Sequence, residues 1–244
     1  MFSFLFRKKP PLQVESDFIY TDMHSHALPG LDDGAEQLED SLIILKKFVE
    51  LGYKKAILTP HVMGDAYQNT PTGIRDRLDY LKSNLGDIKI ELECAAEYYI
   101  DESLYSLLEH DKEILSFGVH KYVLIETSYI NESSLLTHIC FELQSKGYTP
   151  VLAHPERYTY MYHDFKKYID FFDRGILFQI NLNSLVGYYS DTSKKIVEKL
   201  IDHKMVHFVG TDCHSIKQAE ATERAKQTKH YQKLKYLSLL NNTL

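Results

Sequence analysis

The sequence predicts an α/β fold, in which one domain forms a barrel of seven β/α units. The first observation is that short apolar runs alternate with amphipathic stretches along the whole chain, a pattern typical of parallel sheets. The second is that histidine and carboxylate side chains follow at least six of the apolar runs. An open doubly wound sheet fits the alternation equally well. The barrel is favoured because it gathers all these strand ends at one mouth, whereas an open sheet offers a single crevice.

The individual elements follow from apolar periodicity and from turn residues. Strands are predicted at the short apolar runs, which are Phe18–Met23, Tyr53–Thr59, Ile88–Ala95, Tyr122–Ile125, Thr149–Ala153, Ile176–Leu182 and Val206–Gly210. Helices are predicted where apolar residues recur on one face, at Gln37–Leu51, Ile74–Leu85, Glu102–Leu108, Leu135–Lys146, Asp164–Arg174, Thr192–His203 and Ala219–Leu240. Four of the helices run into a glycine, a common terminator. The length of the last segment leaves room for a break.

Composition restricts the kinds of partner and of metal site that this chain is expected to have. A chain of 244 residues suits one barrel domain, and a net charge of −6 gives no reason to expect nucleic acid as a partner. Twelve histidines stand against three cysteines, and the cysteines show no CxxC spacing. A thiolate zinc site or a disulfide framework is therefore not expected, and a reducing, cytoplasmic location fits.

The N-terminal residues 1–16 are predicted to be a flexible leader before a domain at 17–244. The apolar part of the leader precedes its charges and is far too short for a signal peptide or a membrane span. A weak apolar and basic contact with a membrane surface is the alternative.

Two pairs of potential ligands have strand spacing. His24 and His26 are two residues apart, so on a strand both face the same side and could bind one ion. Asp212 and His214 repeat this spacing after the last strand. A turn separates the first pair from Asp32-Asp33, and the alternative reading of these acids is a cap on the following helix.

Further candidates end the strands between these pairs. His61 follows the second strand, and Glu97 follows small residues that leave room for an ion. The alternatives are a packed histidine at 61 and a buried ion pair at 97. Glu126 and His154 end later strands, and Arg157 lies three residues beyond His154. Each residue alone has an ordinary explanation, but their joint position after successive strands predicts a metal hydrolase.

The combined motifs resemble the PHP (polymerase and histidinol phosphatase) family, whose fold is a distorted (β/α)7 barrel with a trinuclear metal centre. Within it, the stretch from His24 to Ala35 is most similar to the manganese-dependent protein tyrosine phosphatases encoded with bacterial capsule and exopolysaccharide systems. His154-Pro155-Glu156-Arg157 and Gly210-Thr211-Asp212-Cys213-His214 are similar to the same branch. The similarity covers roughly residues 18 to 216.

The resemblance implies a role for each motif residue. The first ion would be held by His24, His26, Glu97 and Asp212, the second by Glu97, Glu126 and His154, and the third by Asp33, His61 and His214. Arg157 would hold the phosphate, and Asp212 is counted with it as catalytic. The branch usually has a second arginine just after its last histidine. Here Ser215-Ile216-Lys217-Gln218-Ala219 follows, so Lys217 or Arg224 is the expected substitute.

The ligand types indicate the chemistry. Imidazoles and carboxylates without thiolates favour Mn²⁺, with Fe or Zn as alternatives, and the resemblance implies up to three ions. A bound ion lowers the pKa of water from about 15.7 to about 7, so a hydroxide is expected to attack phosphorus. Tyrosinate has a pKa of about 10 and leaves without a strong general acid.

A cysteine mechanism is not expected. It requires an arginine six residues after the cysteine, where this chain has Ile100, Lys146 and Ala219.

The resulting hypothesis is a metal-dependent protein-tyrosine phosphatase that acts on the phosphotyrosine tail of a tyrosine autokinase of capsule or exopolysaccharide biosynthesis. That partner could bring it to the membrane. The alternatives are a small-molecule phosphatase such as histidinol phosphatase, a binding module without catalysis, and a nuclease, for which no basic groove is evident.

Four tyrosines lie just beyond proposed ligands and could flank a phosphotyrosine ring. They are Tyr98, Tyr99, Tyr129 and Tyr158. The alternative for these four is ordinary packing.

Overall fold

The structure is a computed structural model that describes residues 18–244, and the predicted leader at 1–16 lies outside the described residues. The strands are β1 Thr21–Asp22, β2 Lys55–Leu58, β3 His61–Val62, β4 Glu91–Cys94, β5 Glu97–Tyr99, β6 Tyr122–Glu126, β7 Thr149–Ala153, β8 Leu177–Asn181 and β9 Phe208–Gly210. The helices are α1 Leu38–Glu50, α2 Pro71–Ser83, α3 Glu102–Glu109, α4 Leu136–Ser145, α5 Phe165–Asp173, α6 Asp191–Asp202, α7 Ile216–Lys226 and α8 Lys229–Lys233.

The strands form two parallel sheets. One has the order β1-β2-β4 and the other β3-β5-β6-β7-β8-β9, so the predicted parallel α/β architecture is confirmed. Each unit runs from a strand through a helix to the next strand, as parallel neighbours require. The first and last strand ends also meet, because Ser25 bridges Cys213 in parallel and the His26 N–H donates to the Cys213 carbonyl at 3.0 Å.

Two of the predicted strands are followed by a short second strand. The predicted strand Tyr53–Thr59 contains β2, and β3 follows it beyond Thr59-Pro60. The predicted strand Ile88–Ala95 contains β4, and β5 follows it beyond Ala95-Ala96. Pro60 has no N–H to donate to a ladder, which accounts for the first break. The ladder resumes beyond it, where the Glu97 N–H donates to the Pro60 carbonyl at 3.1 Å. The interruptions place His61 and Glu97 at the beginning of short new strands rather than at the end of long ones.

The helices cover the sheets with their apolar faces. Helix α1 buries Ile44, Leu45 and Phe48, and every residue of β6 is buried. Full burial of such a side chain is worth roughly 1.5–3 kcal/mol. The C-terminal helix is broken at Gln227-Thr228, where the Thr228 hydroxyl accepts from the Tyr231 N–H and caps α8. Within residues 18–244, no helix has the length and apolarity needed to cross a membrane.

Candidate metal centre

The structure brings all the predicted ligands together where the parallel strands end. The group comprises His24, His26, Asp33, His61, Glu97, Glu126, His154, Asp212 and His214. The His24 and Asp212 segments are joined directly, because the Asp212 N–H donates to the His24 carbonyl at 2.8 Å. Residues up to 190 positions apart in sequence thus share one site.

The first predicted ion-binding group is compact and buried. The ligand atoms of His24, His26, Glu97 and Asp212 all lie within 4.8 Å of one another. Glu97 Oε2 is 3.1 Å from His24 Nε2 and 3.3 Å from His26 Nε2. These four residues are the set expected for the first ion.

The second group differs from the expected set in one histidine. His61 Nδ1 lies 3.0 Å from Glu126 Oε1 and 3.2 Å from Glu97 Oε2, so His61 completes this carboxylate group. His154 Nε2 is 3.0 Å from Glu97 Oε1 but 3.9 Å from Glu126 Oε2. His154 therefore faces the shared carboxylate more closely than the second one.

The third group lies nearest to solvent. Asp33 Oδ1 is 3.5 Å from both His61 Nε2 and His214 Nε2. His26 is close enough to join them, which makes a group of four. The Asp33 side chain is 57% exposed, so this corner is open to water and to a ligand.

The arrangement of donor atoms fits divalent cations. Nε2 of His24 and Nε2 of His26 are 3.2 Å apart and share Glu97 as a neighbour, so their lone pairs converge. The buried His61 Nδ1 makes no hydrogen bond although the carboxylates of Glu97 and Glu126 lie near it, which suits an atom that binds a metal ion. Imidazoles and carboxylates of this kind bind Mn, Fe or Zn, with four carboxylates available to offset the positive charge.

The carboxylates of the centre are held in the charged form. Burial alone would raise the pKa of Glu97, but His24 and His61 lower it well below its usual value. Burial likewise opposes ionisation of Asp212, and His24 and His26 bring its pKa well below the usual range. A hydrogen bond from His214 lowers the pKa of Asp33 to about 2. Three carboxylates are thus ionised at neutral pH.

Asp32 supports the centre instead of capping α1. Its Oδ2 is 2.7 Å from His26 Nδ1 and accepts the His61 N–H at 2.9 Å. Helix α1 begins at Leu38 with Gln37 as its N-cap, so the helix-cap reading of Asp32 is wrong. A carboxylate on the far ring nitrogen orients a histidine and leaves the other nitrogen for a metal.

Strand β8 supplies supporting amides that were not predicted from the sequence. Gln179 Oε1 accepts the His154 N–H and lies 2.9 Å from His24 Nδ1, so that nitrogen carries the proton and Nε2 is left as a ligand. Asn181 Nδ2 donates to Asp212 Oδ2 at 2.6 Å. The available signal was two amides spaced by two residues in an otherwise apolar strand.

The backbone around the ligands is unusual in two ways. His154 and Asp212 have φ of 33° and 50°, a left-handed conformation that costs non-glycine residues energy and concentrates at functional sites. Gly34 packs on the His26 backbone so tightly that a Cβ there would lie 2.1 Å from its carbonyl oxygen. The loop that carries Asp33 can approach His26 only because residue 34 has no side chain.

A cavity of about 480 Å³ opens over the ligands. It is lined by Asp33, His61, Tyr129, His154, Arg157, Tyr188, Tyr189, Asp212, His214, Ser215 and Gln218. Arg157 is fixed within it, since its guanidinium lies 4.4 Å from the Tyr129 ring centre and 4.2 Å from that of Tyr189. Its Nη1 donates to Asp212 Oδ2 at 2.9 Å.

Some expected contacts lie elsewhere. Lys217 and Arg224 are exposed on α7 and do not line the cavity. Tyr98 and Tyr158 are 1% and 0% exposed, so for these two the ordinary-packing reading is correct. Tyr129 lines the cavity as expected, and Tyr99 does not. Four further lining residues were not predicted from the sequence: Tyr188, Tyr189, Ser215 and Gln218.

Comparison with known proteins gives the same assignment as the motifs. Tyrosine-protein phosphatase YwqE of Bacillus subtilis strain 168 is 32% identical over 199 residues, which are 80% of this chain and 78% of YwqE. Tyrosine-protein phosphatase CpsB of Streptococcus pneumoniae is 27% identical over 206 residues, covering 80% and 83% of the two chains.

Solved structures agree in fold. A chain from the crystal structures of YwqE from Bacillus subtilis and CpsB from Streptococcus pneumoniae, described as unique metal-dependent tyrosine phosphatases, aligns with a TM-score of 0.77. It is 28% identical and covers 91% of this chain and 94% of that chain. Histidinol phosphate phosphatase from Lactococcus lactis, with a TM-score of 0.54 and 12% identity over 85% of this chain and 92% of its own, shares the fold alone.

The match to a family extends over nearly the whole described chain. Residues 20–238 match the family described as Capsular polysaccharide synthesis, CpsB/CapC. The branch inferred from the sequence motifs is thereby confirmed, and the chain belongs to the CpsB/CapC family of capsular polysaccharide synthesis proteins.

Proposed function

We propose that this protein is a metal-dependent tyrosine-protein phosphatase. The observation that carries the proposal is the convergence of nine histidine and carboxylate side chains, five of which line a cavity whose wall holds a fixed arginine. The relatives YwqE and CpsB, which are named tyrosine-protein phosphatases, support the same activity.

The proposed scaffold is a distorted (β/α)7 barrel in a single domain at residues 17–244. Seven strand runs, all paired in parallel, support it, as does the pairing of the chain after β1 with the chain after β9. Such a barrel would have its mouth at the carboxyl ends of the strands, where the ligands lie.

The proposed cofactor is Mn²⁺, with up to three ions and with Fe or Zn as alternatives. The ions would be held by the three groups of clustered histidines and carboxylates described for the metal centre. The absence of thiolates from these groups supports Mn²⁺, Fe or Zn. When bound, such ions supply Lewis-acid polarisation of the phosphoryl group and a nucleophilic hydroxide at neutral pH.

The proposed role of Arg157 is to bind the phosphoryl oxygens. Asp212 uses one guanidinium edge, and further N–H donors remain for a ligand in the cavity. The rings of Tyr129 and Tyr189 hold the guanidinium plane in place, so little side-chain entropy is lost when phosphate binds. Asp212 thus links the phosphate contact to the metal centre.

An arginine-to-lysine change at 157 tests this role. Lysine keeps the positive charge but loses the planar pair of donors, so kcat/KM for an aryl phosphate should fall by about tenfold or more. Metal content should stay at the wild-type value, since residue 157 is not a ligand. Unchanged steady-state kinetics would show that Arg157 does not bind the phosphate.

The aromatic rim of the cavity supports phosphotyrosine as the substrate group. Tyr129 is 37% exposed and Tyr188 is 44% exposed at the opening, so part of each ring is available to a phenyl group. Tyr67 stacks on His61 with ring centres 5.7 Å apart, which adds a third ring beside the ligands. Aromatic pairs of this kind contribute about 0.5–1.5 kcal/mol beyond area burial.

The proposed partner is the phosphotyrosine tail of a tyrosine autokinase in capsule or exopolysaccharide biosynthesis. The family assignment to capsular polysaccharide synthesis supports this context. We place the reaction in the cytoplasm, at the inner face of the membrane where such a tail would lie. The cavity is open at its rim, which suits a flexible peptide.

The function is tested by comparing substrates on the same Mn²⁺-loaded protein. We expect kcat/KM for a tyrosine-rich phosphopeptide to exceed that for histidinol phosphate or a phosphoserine peptide by at least about tenfold, because only the first places a phenyl ring, bonded directly to the phosphate oxygen, against the rim. A preference for histidinol phosphate would replace the signalling role with that of a small-molecule phosphatase.

A further inference from the structure

Gln218 occupies an unexpected position on the wall of the metal-lined cavity. It lies in the first turn of α7, four residues after His214, and its side chain lines the same cavity as Arg157. The His214 N–H donates to Gln218 Oε1 at 2.6 Å. Because a backbone N–H can only donate, the atom facing it must be the amide oxygen.

The other end of the amide is therefore a free donor. With Oε1 accepting from the His214 backbone, the Nε2 group is the remaining polar end of a half-buried side chain that lines the cavity. Within residues 18–244, Nε2 makes no hydrogen bond to another residue. The backbone carbonyl of Gln218 accepts from Asn183 Nδ2 at 3.0 Å and from the Thr222 hydroxyl at 3.2 Å. The NH2 group is thus open to water or to a ligand in the cavity.

The cavity holds one cationic side chain that could contact a phosphate. Among the residues that line it, Arg157 is the one lysine or arginine, and the neutral donors are Ser215, Gln218, Tyr129, Tyr188 and Tyr189. Lys217, next in sequence to Gln218, is exposed and outside the lining. Gln218 is distinguished because its acceptor end is held by the backbone of a proposed ligand, His214, which leaves its NH2 group for a phosphoryl oxygen.

We propose that Gln218 is the second phosphate contact of this protein, donating from Nε2 to a non-bridging phosphoryl oxygen. The inference rests on the phosphatase function proposed above and names the side chain that completes its phosphate site. A neutral amide is sufficient there, because a hydrogen bond to a charged acceptor is stronger than one between neutral groups.

The test exploits the two ends of the amide. Gln218→Glu keeps an oxygen for the His214 N–H but replaces the donor with a negative charge. Gln218→Arg restores donors toward the phosphate but cannot accept from His214. The measurement is the Kd of inorganic phosphate for the Mn²⁺-loaded protein by calorimetry, with metal content determined on the same samples.

We expect Gln218→Glu to bind phosphate at least about tenfold more weakly, equivalent to about 1.4 kcal/mol, and Gln218→Arg to bind it at least as tightly as the wild type. Lys217→Ala and Arg224→Ala are matched controls and should leave Kd unchanged. The reverse order, with normal binding by Gln218→Glu and weak binding by Gln218→Arg, would mean that Gln218 only positions the His214 loop, and would overturn the proposal.

Because the probe is phosphate and not a substrate, the inference and the proposed function fail separately. A wild-type protein that does not hydrolyse phosphotyrosine, but whose phosphate affinity falls in Gln218→Glu, would refute the function and support the contact. Normal phosphotyrosine hydrolysis together with an unchanged phosphate Kd in Gln218→Glu would refute the contact alone.

Discussion

Replacing Glu97 with alanine is expected to reduce kcat for an aryl phosphate by at least about a hundredfold, or about 2.7 kcal/mol in activation free energy. Glu97 Oε2 lies near His24, His26 and His61, and its Oε1 is 3.0 Å from His154. Two of the ligand groups contain it. Its loss should therefore remove a ligand from two ions, which the loss of a peripheral residue would not do.

The same loss is expected for His26→Ala and Asp212→Ala. His138→Ala is the matched control, since His138 is an exposed residue of α4 whose ring contacts Tyr105 rather than the cavity. Steady-state kinetics and thermal melting should be measured on each variant, so that lost activity is separated from lost folding. If His138→Ala were as damaging as His26→Ala, the site would be misplaced.

Removing the metal is the second change with a large expected effect. An excess of chelator followed by dialysis should abolish hydrolysis of an aryl phosphate, and added Mn²⁺ should restore it. The alternative, a cysteine nucleophile, is opposed by burial, which raises the pKa of the Cys94 and Cys213 thiols and raises that of Cys140 to about 12. Thiols in this state are poor nucleophiles at neutral pH.

The cysteine variants give the matching control. Cys94→Ser, Cys140→Ser and Cys213→Ser should each keep most of the wild-type rate, because none of the three thiols reaches the cavity lining. Full activity that persists in excess chelator would contradict a metal mechanism, and loss of activity in one serine variant with normal metal content would point to a thiol instead.

The positions of most strands along the chain could be predicted from the sequence, but the breaks after β2 and β4 could not. The apolar runs predicted the positions of all seven strand segments, because a buried strand shows in the sequence as a short run of apolar residues. The short strands β3 and β5, which follow the breaks at Thr59-Pro60 and Ala95-Ala96, were not predicted, since neither is long enough to show an apolar run of its own. Proline at 60 was the one local sign, and its effect depends on which neighbouring strand would have accepted its missing hydrogen bond.

The sequence also indicated which residues form the site, but it did not indicate which of them contact one another. Spacing by two marked His24 with His26 and Asp212 with His214, because side chains on a strand alternate in direction. Which carboxylate faces which histidine depends on register between distant strands, so the approach of His61 to Glu126 was missed. The amides of Gln179 and Gln218 were missed for the same reason, since amides are common in sequence and acquire a role only through neighbours.

The clustered histidines and carboxylates are proposed to hold the ions that hydrolyse phosphotyrosine. Anomalous diffraction at the manganese edge, from crystals of the active, Mn²⁺-loaded protein, would locate those ions. We expect two or three anomalous peaks, each within coordination distance of one of the ligand groups around Glu97, Glu126 and Asp33. An active protein with no peak among these residues would contradict this proposal.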